Sequence, residues 1–214
     1  MPQIWSICLS IVPSSGDYPH LRGAPDLAVC TGWQAPDMGV QDRARRDQTD
    51  MWVITSTVIR AHPCAAGALK KDGGQDAQAL GRSRGGFSTK IHVNVDALGN
   101  PLRFKLTGGQ RHDITQADAL IAGYEGEFVI ADKSYDADDF RQTIRDCGAV
   151  PVIPPRSNRK ELCDYDKHLY KERHLVECFI GKIKHYRRIL SRFEKLAKRY
   201  LGFLSFVGAL IWLR

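Results

Sequence analysis

Residues 127–136 read Glu127-Phe128-Val129-Ile130-Ala131-Asp132-Lys133-Ser134-Tyr135-Asp136, and the fold is decided here. A short apolar run stopped by polar residues is the pattern of a buried strand. Helical spacing precedes it at residues 114–122 and follows it at 137–147. A second short strand comes at 150–153 and is stopped by Pro154 and Pro155. Helix, strand, helix, strand implies neighbouring parallel strands covered by helices. Upstream, residues 51–59 (MWVITSTVI) are rich in β-branched side chains and read as another buried strand. Residues 89–95 alternate as a strand, 96–101 carry turn chemistry, and 102–106 form the return strand of a hairpin. Together these predict an α/β chain with a mixed sheet flanked by helices.

The chain has 214 residues, 43% hydrophobic and 26% charged. Those proportions exclude a collagenous, wholly disordered or multi-span membrane protein. Residues 200–213 are apolar for too short a run to span a bilayer, which takes about 20 residues, and read as a buried closing helix. Residues 1–50 hold five of the ten prolines and sustain no period, so they read as an irregular segment ahead of a domain at 51–214. No basic stretch precedes the apolar residues near the start, so no signal peptide is expected. The six cysteines form no Cys-x-x-Cys pair and read as scattered thiols of a cytoplasmic protein.

Lys and Arg number 31 against 24 Asp and Glu, a net charge of +7. Residues 156–199 hold 14 basic and 6 acidic side chains, whereas the rest of the chain holds 17 and 18. A basic excess confined to one segment is the footprint of a polyanion-binding surface. A solvated helix face is the plain alternative.

Asp132 follows the strand at 127–131, where α/β sheets open a ligand crevice; Asp132 or Asp136 could instead simply cap the next turn. Residues 166–199 show helical spacing, with Leu169, Val176, Phe179, Ile180, Ile183, Leu190 and Phe193 largely on one side. At ~100° per residue, Tyr170, Arg173, Glu177 and Lys184 fall within an arc of about 60° beside that face. Such a stripe is either an ordinary i,i+4 ion-pair row or a metal-binding glutamate with cations placed for phosphates. His62, His92, His112 and His174 have no ligand spacing within one element and read as surface or hydrogen-bonded groups.

The Tyr170-x2-Arg173-x3-Glu177-x6-Lys184 spacing resembles the signature of bacterial insertion-sequence transposases of the DDE class. Four further stretches are similar to the same family: residues 56–62 (STVIRAH), 81–92 (GRSRGGFSTKIH), 108–113 (GGQRHD) and 130–135 (IADKSY). The resemblance implies an RNase H-like mixed five-stranded sheet with helices on both faces. It also implies metal-dependent cleavage and transfer of DNA strands. Asp132 and Glu177 match the second and third catalytic, metal-binding carboxylates. Tyr170, Arg173 and Lys184 match DNA- and phosphate-binding positions. An intact site would hold two Mg²⁺ ions about 3.5–4 Å apart, with Mn²⁺ as a substitute. The implied partners are double-stranded DNA, both terminal inverted repeats and target, and further protomers. The implied location is the bacterial cytoplasm, at the nucleoid when DNA-bound.

One position departs from the family pattern: Thr55 stands where the first catalytic Asp belongs. A neutral hydroxyl supplies no anionic charge. With an N-terminal segment unlike the family's, this predicts a truncated or degenerate, inactive copy. The competing readings are a non-catalytic DNA-binding transposase remnant and a basic structural or RNA-binding protein.

Overall fold

The strand read at 51–59 runs two residues further and becomes the axis of the molecule. The computed structural model describes residues 51–66, 74–83, 85–124, 126–159 and 163–213; the segment 1–50 lies outside them. In chain order the elements are β1 (Met51–Ala61), α1 (Gly74–Ala77), β2 (Gly81–Ser83), β3 (Gly86–Val95), β4 (Pro101–Gly108), α2 (Ala117–Ile121) and β5 (Phe128–Ala131). They continue with α3 (Asp138–Asp146), β6 (Val150–Val152), α4 (His174–Lys184), α5 (Arg187–Leu190), β7 (Ser191–Arg192) and α6 (Ala197–Trp212).

The seven strands form one mixed sheet in the order β2-β3-β1-β5-β6, with β4 also on β3 and β7 also on β1. β1 and β4 both run antiparallel to β3, while β5 lies parallel to β1 and β6 parallel to β5. The β3–β4 hairpin is set by its turn. Asp96 Oδ1 accepts hydrogen bonds from the backbone N–H of Leu98 (2.9 Å) and Asn100 (2.8 Å), and Gly99 supplies the φ of +78°.

β1 is buried on both faces, which is why its sequence is apolar without clean alternation. Val53 and Ile59, with Ile91, Val93, Val95, Ile130 and Val152, form one face. It is covered by Val176, Phe179, Ile180 and Ile183 of α4 and by Tyr200, Leu204 and Val207 of α6. Ile54, Val129 and Ala131 form the other, covered by α2 and by Phe140 and Ile144 of α3. No helix among the described residues is long and apolar enough to cross a membrane.

Two readings of the sequence are corrected. Five strands were expected and seven are present, because β2 and β7 are too short to show a period. The continuous helical spacing over 166–199 is not one helix: a 3-10 turn (Leu169–Arg173) leads into α4, the chain turns extended at Tyr186, and α5 gives way to β7. Tertiary pairing overrides local propensity here. Leu190, counted on the apolar side, is 52% exposed, whereas Arg192 is fully buried.

Arg192 is the reason the chain leaves the helix. β7 pairs with Arg60 and Ala61 of β1, and the Arg192 guanidinium donates to Thr89 Oγ1 (2.6 Å) and to the carbonyls of Ala79, Glu194 and Lys195. It also lies 5.4 Å from the Tyr200 ring centroid. Arg192→Met would remove all four of these bonds from a site in which Thr89 is fully buried. The expected loss is about 3 kcal/mol, read as a melting midpoint lower by roughly 6–12 °C for a domain of this size. A midpoint unchanged in calorimetry would show that the network contributes nothing net.

Candidate functional site

The site begins with a strand register. β5 pairs with β1 so that Ile54 lies opposite Ala131. The next residues, Thr55 and Asp132, therefore stand side by side where β5 ends. Asp132 keeps extended backbone (φ −72°, ψ 161°), so alternation turns it to the same face as Ile130 and Thr55. That face is the one α4 covers. Beyond this point, among the described residues, β1 has no strand on its β5 edge until β7 reaches Arg60. Residues 55–59 thus border a gap in the sheet, at the carboxyl end of the parallel strands.

Asp132 does cap: its Oδ1 accepts from the Lys133 backbone N–H (2.6 Å) at the start of a 3-10 turn. Thr55 is buried, only 6% exposed.

The second carboxylate arrives from α4. The 3-10 turn at Leu169–Arg173 packs against β5. It is entered through Asp166, whose Oδ1 accepts from the backbone N–H groups of His168 and Leu169. Those two bonds hold the Asp166 carboxyl below the ordinary range. With three residues per turn, Tyr170 and Arg173 eclipse one another, and the Arg173 guanidinium lies 5.9 Å from the Tyr170 ring centroid. Arg173 Nη1 donates to Glu177 Oε1 at 2.5 Å. Partial burial opposes the Arg173 charge, but the Glu177 hydrogen bond and the fields of Tyr170, Glu177 and Asp132 outweigh it. Burial also pushes the Tyr170 hydroxyl up, opposed by Arg173 and reinforced by Asp132 and Glu177. Arg173 and Tyr170 therefore sit in the field of both carboxylates. Lys184, two turns on, is half-buried and forms no ion pair among the described residues.

On its other side Asp132 opens into a cleft of about 820 Å³, lined also by Lys90, His112, Asp113, Lys133 and Arg156. Sequence reasoning assigned no role to most of these. Asp113 Oδ1 accepts from Lys90 Nζ (2.8 Å) and Ser56 Oγ (2.7 Å). Burial alone would raise its carboxyl; the hydrogen bonds from Lys90 and Ser56 more than offset that and hold it low. Burial pushes the Tyr135 hydroxyl up, reinforced by the fields of Asp113 and Asp132 and opposed by Ser56.

Asp136 does different work from Asp132. It is buried and accepts from Arg141 Nε (2.9 Å), Arg159 Nη1 (2.7 Å) and the Arg156 backbone N–H (2.8 Å). Burial opposes its ionisation and these bonds outweigh burial. The latch fixes the chain after β6, and Arg156 then donates to the carbonyls of Lys133 and Ser134. A cation is thereby pinned on the cleft wall beside Asp132.

Among the described residues, no group of three His, Cys, Asp or Glu side chains is placed to hold a metal ion. The four described cysteines are free. His62 stacks on Phe193 (4.9 Å), and His174 Nδ1 lies 3.0 Å from the Lys171 carbonyl.

Residues 52–212 match the transposase DDE domain family. The chain is 45% identical over 130 residues to a protein of Brucella ovis named as a transposase for insertion sequence element IS6501. That match covers 60% of this chain and all of the relative. It is 35% identical over 135 residues to a Burkholderia cepacia protein named as a transposase for insertion sequence element IS402, covering 58% of this chain and 62% of that relative's length. A cryo-EM structure of a piggyBac transposase synaptic complex with hairpin DNA aligns with 53% of this chain and 24% of that one. The identity is 12% and the TM-score 0.35.

The polar groups behind the cleft set a pH response. His92 is fully buried, with Nε2 2.8 Å from Thr107 Oγ1 and Nδ1 unpartnered. Burial pushes it down to about 4, partly countered by Asp113 and reinforced by Lys90. The unfolded chain, with a histidine near 6.5, binds the extra proton first, so stability is complete above about pH 6.5 and falls as pH drops toward 4. The loss is on the order of 3 kcal/mol. Urea midpoints at pH 7, 5.5 and 4.5 should decline in the native chain and decline less in His92→Gln. Equal declines would show that His92 is already protonated in the fold.

Proposed function

The chain belongs to the transposase DDE domain family, and from that membership we propose that it acts on duplex DNA at the cleft beside Asp132. It is an insertion-sequence transposase. Cleavage and transfer of DNA strands is the reaction proposed for the site. Asp132 and Glu177 are the second and third carboxylates in this reading. Arg173 and Tyr170 position the DNA backbone near the cut, and Lys184 meets phosphate further along α4. The run of β4, β3, β1, β5 and β6, antiparallel then parallel, supports an RNase H-like domain over 51–214. The DNA is proposed to include the element's terminal inverted repeats and a target, gripped with further protomers in the bacterial cytoplasm.

Members of this family use divalent metal ions, and Mg²⁺, with Mn²⁺ as substitute, is the proposed identity. The donor set of this chain does not fit the two-ion group. Protein sites hold hard cations chiefly through carboxylates, and the position beside Asp132 holds the neutral, buried hydroxyl of Thr55. Glu177 is meanwhile bonded to Arg173. The single observation that supports the proposal is the β1–β5 register, in which Thr55 and Asp132 follow the Ile54–Ala131 pair; in this reading position 55 is that of a first carboxylate sharing a metal ion with Asp132. It also favours one further reading, a remnant that binds element ends without cutting them.

Incubating the protein with DNA bearing the element's ends, in Mg²⁺ or Mn²⁺, separates the two. The remnant predicts cleavage only in Thr55→Asp, together with a gain of Mn²⁺ binding in calorimetry. Adding Glu177→Ala should then remove activity by more than about 100-fold, beyond the 10–100-fold typical of an outer-shell partner. Cleavage by the unmodified chain that vanishes with Glu177→Ala would establish an active enzyme instead. DNA affinity unchanged by any residue of the cleft would overturn both.

A further inference from the structure

Glycines from two stretches, Gly81 and Gly85 in one and Gly109 in the other, take no part in the carboxylate site, yet the fold brings them to neighbouring strands. β2 pairs with β3 so that Gly81 lies opposite Ser88, and β1 places Arg60 opposite the same Ser88. Ser88 Oγ donates to Ser83 Oγ (2.9 Å), and Arg60 Nη1 donates to Ser83 Oγ (3.1 Å). A Cβ on Gly85 would collide with the Arg60 guanidinium, and one on Gly81 would collide with the Gln110 amide. A Cβ on Gly109 would collide with Ser88 Oγ. The glycines thus keep open a shallow seat in which an arginine and an amide lie flat against backbone.

The seat is continuous with the cleft. Arg111 follows Gln110, its carbonyl accepts from Lys90 Nζ (2.6 Å), and Lys90 lines the cleft beside Asp132. On this half of the sheet α2 and α3 no longer cover the face, and Val58 between Ser56 and Arg60 is 43% exposed. Arg60, Gln110, Arg111 and His112 are exposed along it. The carboxylate of Asp113 beside it is already paired with Lys90.

We propose that this ledge, centred on Arg60 in its glycine seat, is a second phosphate-binding surface that carries the DNA backbone away from the carboxylates. The inference rests on the proposed action on duplex DNA. A guanidinium whose position is fixed by a hydroxyl and by bare backbone is preorganised for a phosphate oxygen, and glycine lets a nucleic-acid backbone approach the chain closely. Contacts of this kind set the position of the duplex without reading its sequence.

The test is anisotropy of a labelled 30-base-pair duplex with the full chain over a series of salt concentrations. Arg60→Ala should lower the slope of log affinity against log salt by about 0.9, and weaken binding about eightfold at 0.1 M salt, for any duplex sequence. Gly85→Ala keeps every charge but displaces the guanidinium, and should weaken binding in the same direction. Arg145→Ala, exposed on α3, should match the native chain. Melting midpoints of all three should be unchanged, because the altered side chains are exposed. Native slope and affinity in both Arg60→Ala and Gly85→Ala would overturn the ledge while leaving DNA binding at the cleft intact. No duplex binding by the native chain would overturn the proposed action on DNA, and the ledge with it.

Discussion

The pairing of Ile54 with Ala131 is the constraint on which the rest of this structure depends. Period-2 geometry makes a register absolute: a slip of one residue would send Thr55 and Asp132 to opposite faces. The slip is prevented by burial on both sides. Val53 and Ile130 belong to the core under α4, while Ile54 and Ala131 belong to the core under α2 and α3. Either core alone would set the register, and having both makes it unambiguous. The side-by-side placement of Thr55 and Asp132 follows from that packing.

β1 serves two chemistries because its two faces are read by different elements. Thr55 looks toward α4 and the Tyr170–Arg173–Glu177 row. Ser56, one residue on, looks the opposite way and donates to Asp113, with Lys90 completing the pair. Asp132 borders both regions, lying in the field felt by Arg173 and on the wall of the cleft that holds Asp113. A change at position 55 therefore touches one face only. The bonds that position Lys90 and Arg156 on the cleft wall include none from Thr55.

Much of the architecture was legible in the residues. The β-branched run at 51–59, the hairpin with its Asp96 turn and the apolar stop at Asp132 all state their structure locally. The elements that sequence reasoning missed are those whose reasons are remote. β7 is anchored where Arg192 finds Thr89 and the Ala79 carbonyl, both more than 100 positions away in the chain, and no count of apolar spacing reveals that. Tyr170 and Arg173 could be placed beside Glu177 from spacing, although the 3-10 turn that eclipses them does not follow the 100° rule used to place them. Asp113 closes the stretch 108–113 that shares in the resemblance, but nothing in the sequence assigned it a partner or a role. Its partner Lys90 is 23 positions away, and only the folding of β3 against the turn after β4 joins them.

Counting charge along the sequence located a basic segment but overstated what it offers a polyanion. Of the basic residues between 156 and 199, Arg159 is bonded to Asp136 and Asp138, Arg173 to Glu177, and Arg192 is wholly buried. Arg156 is held by carbonyls, which fixes its position and leaves its charge uncancelled. A cation immobilised in this way loses less freedom on meeting phosphate than an exposed lysine does. Conversely Arg60, outside the basic segment altogether, is seated by glycine and serine and presents its charge to solvent. For a DNA-binding surface, what a cation is already bonded to decides more than how many cations lie nearby in sequence. The strongest phosphate contacts should therefore come from pinned arginines flanking the cleft rather than from the densest run of positive charge.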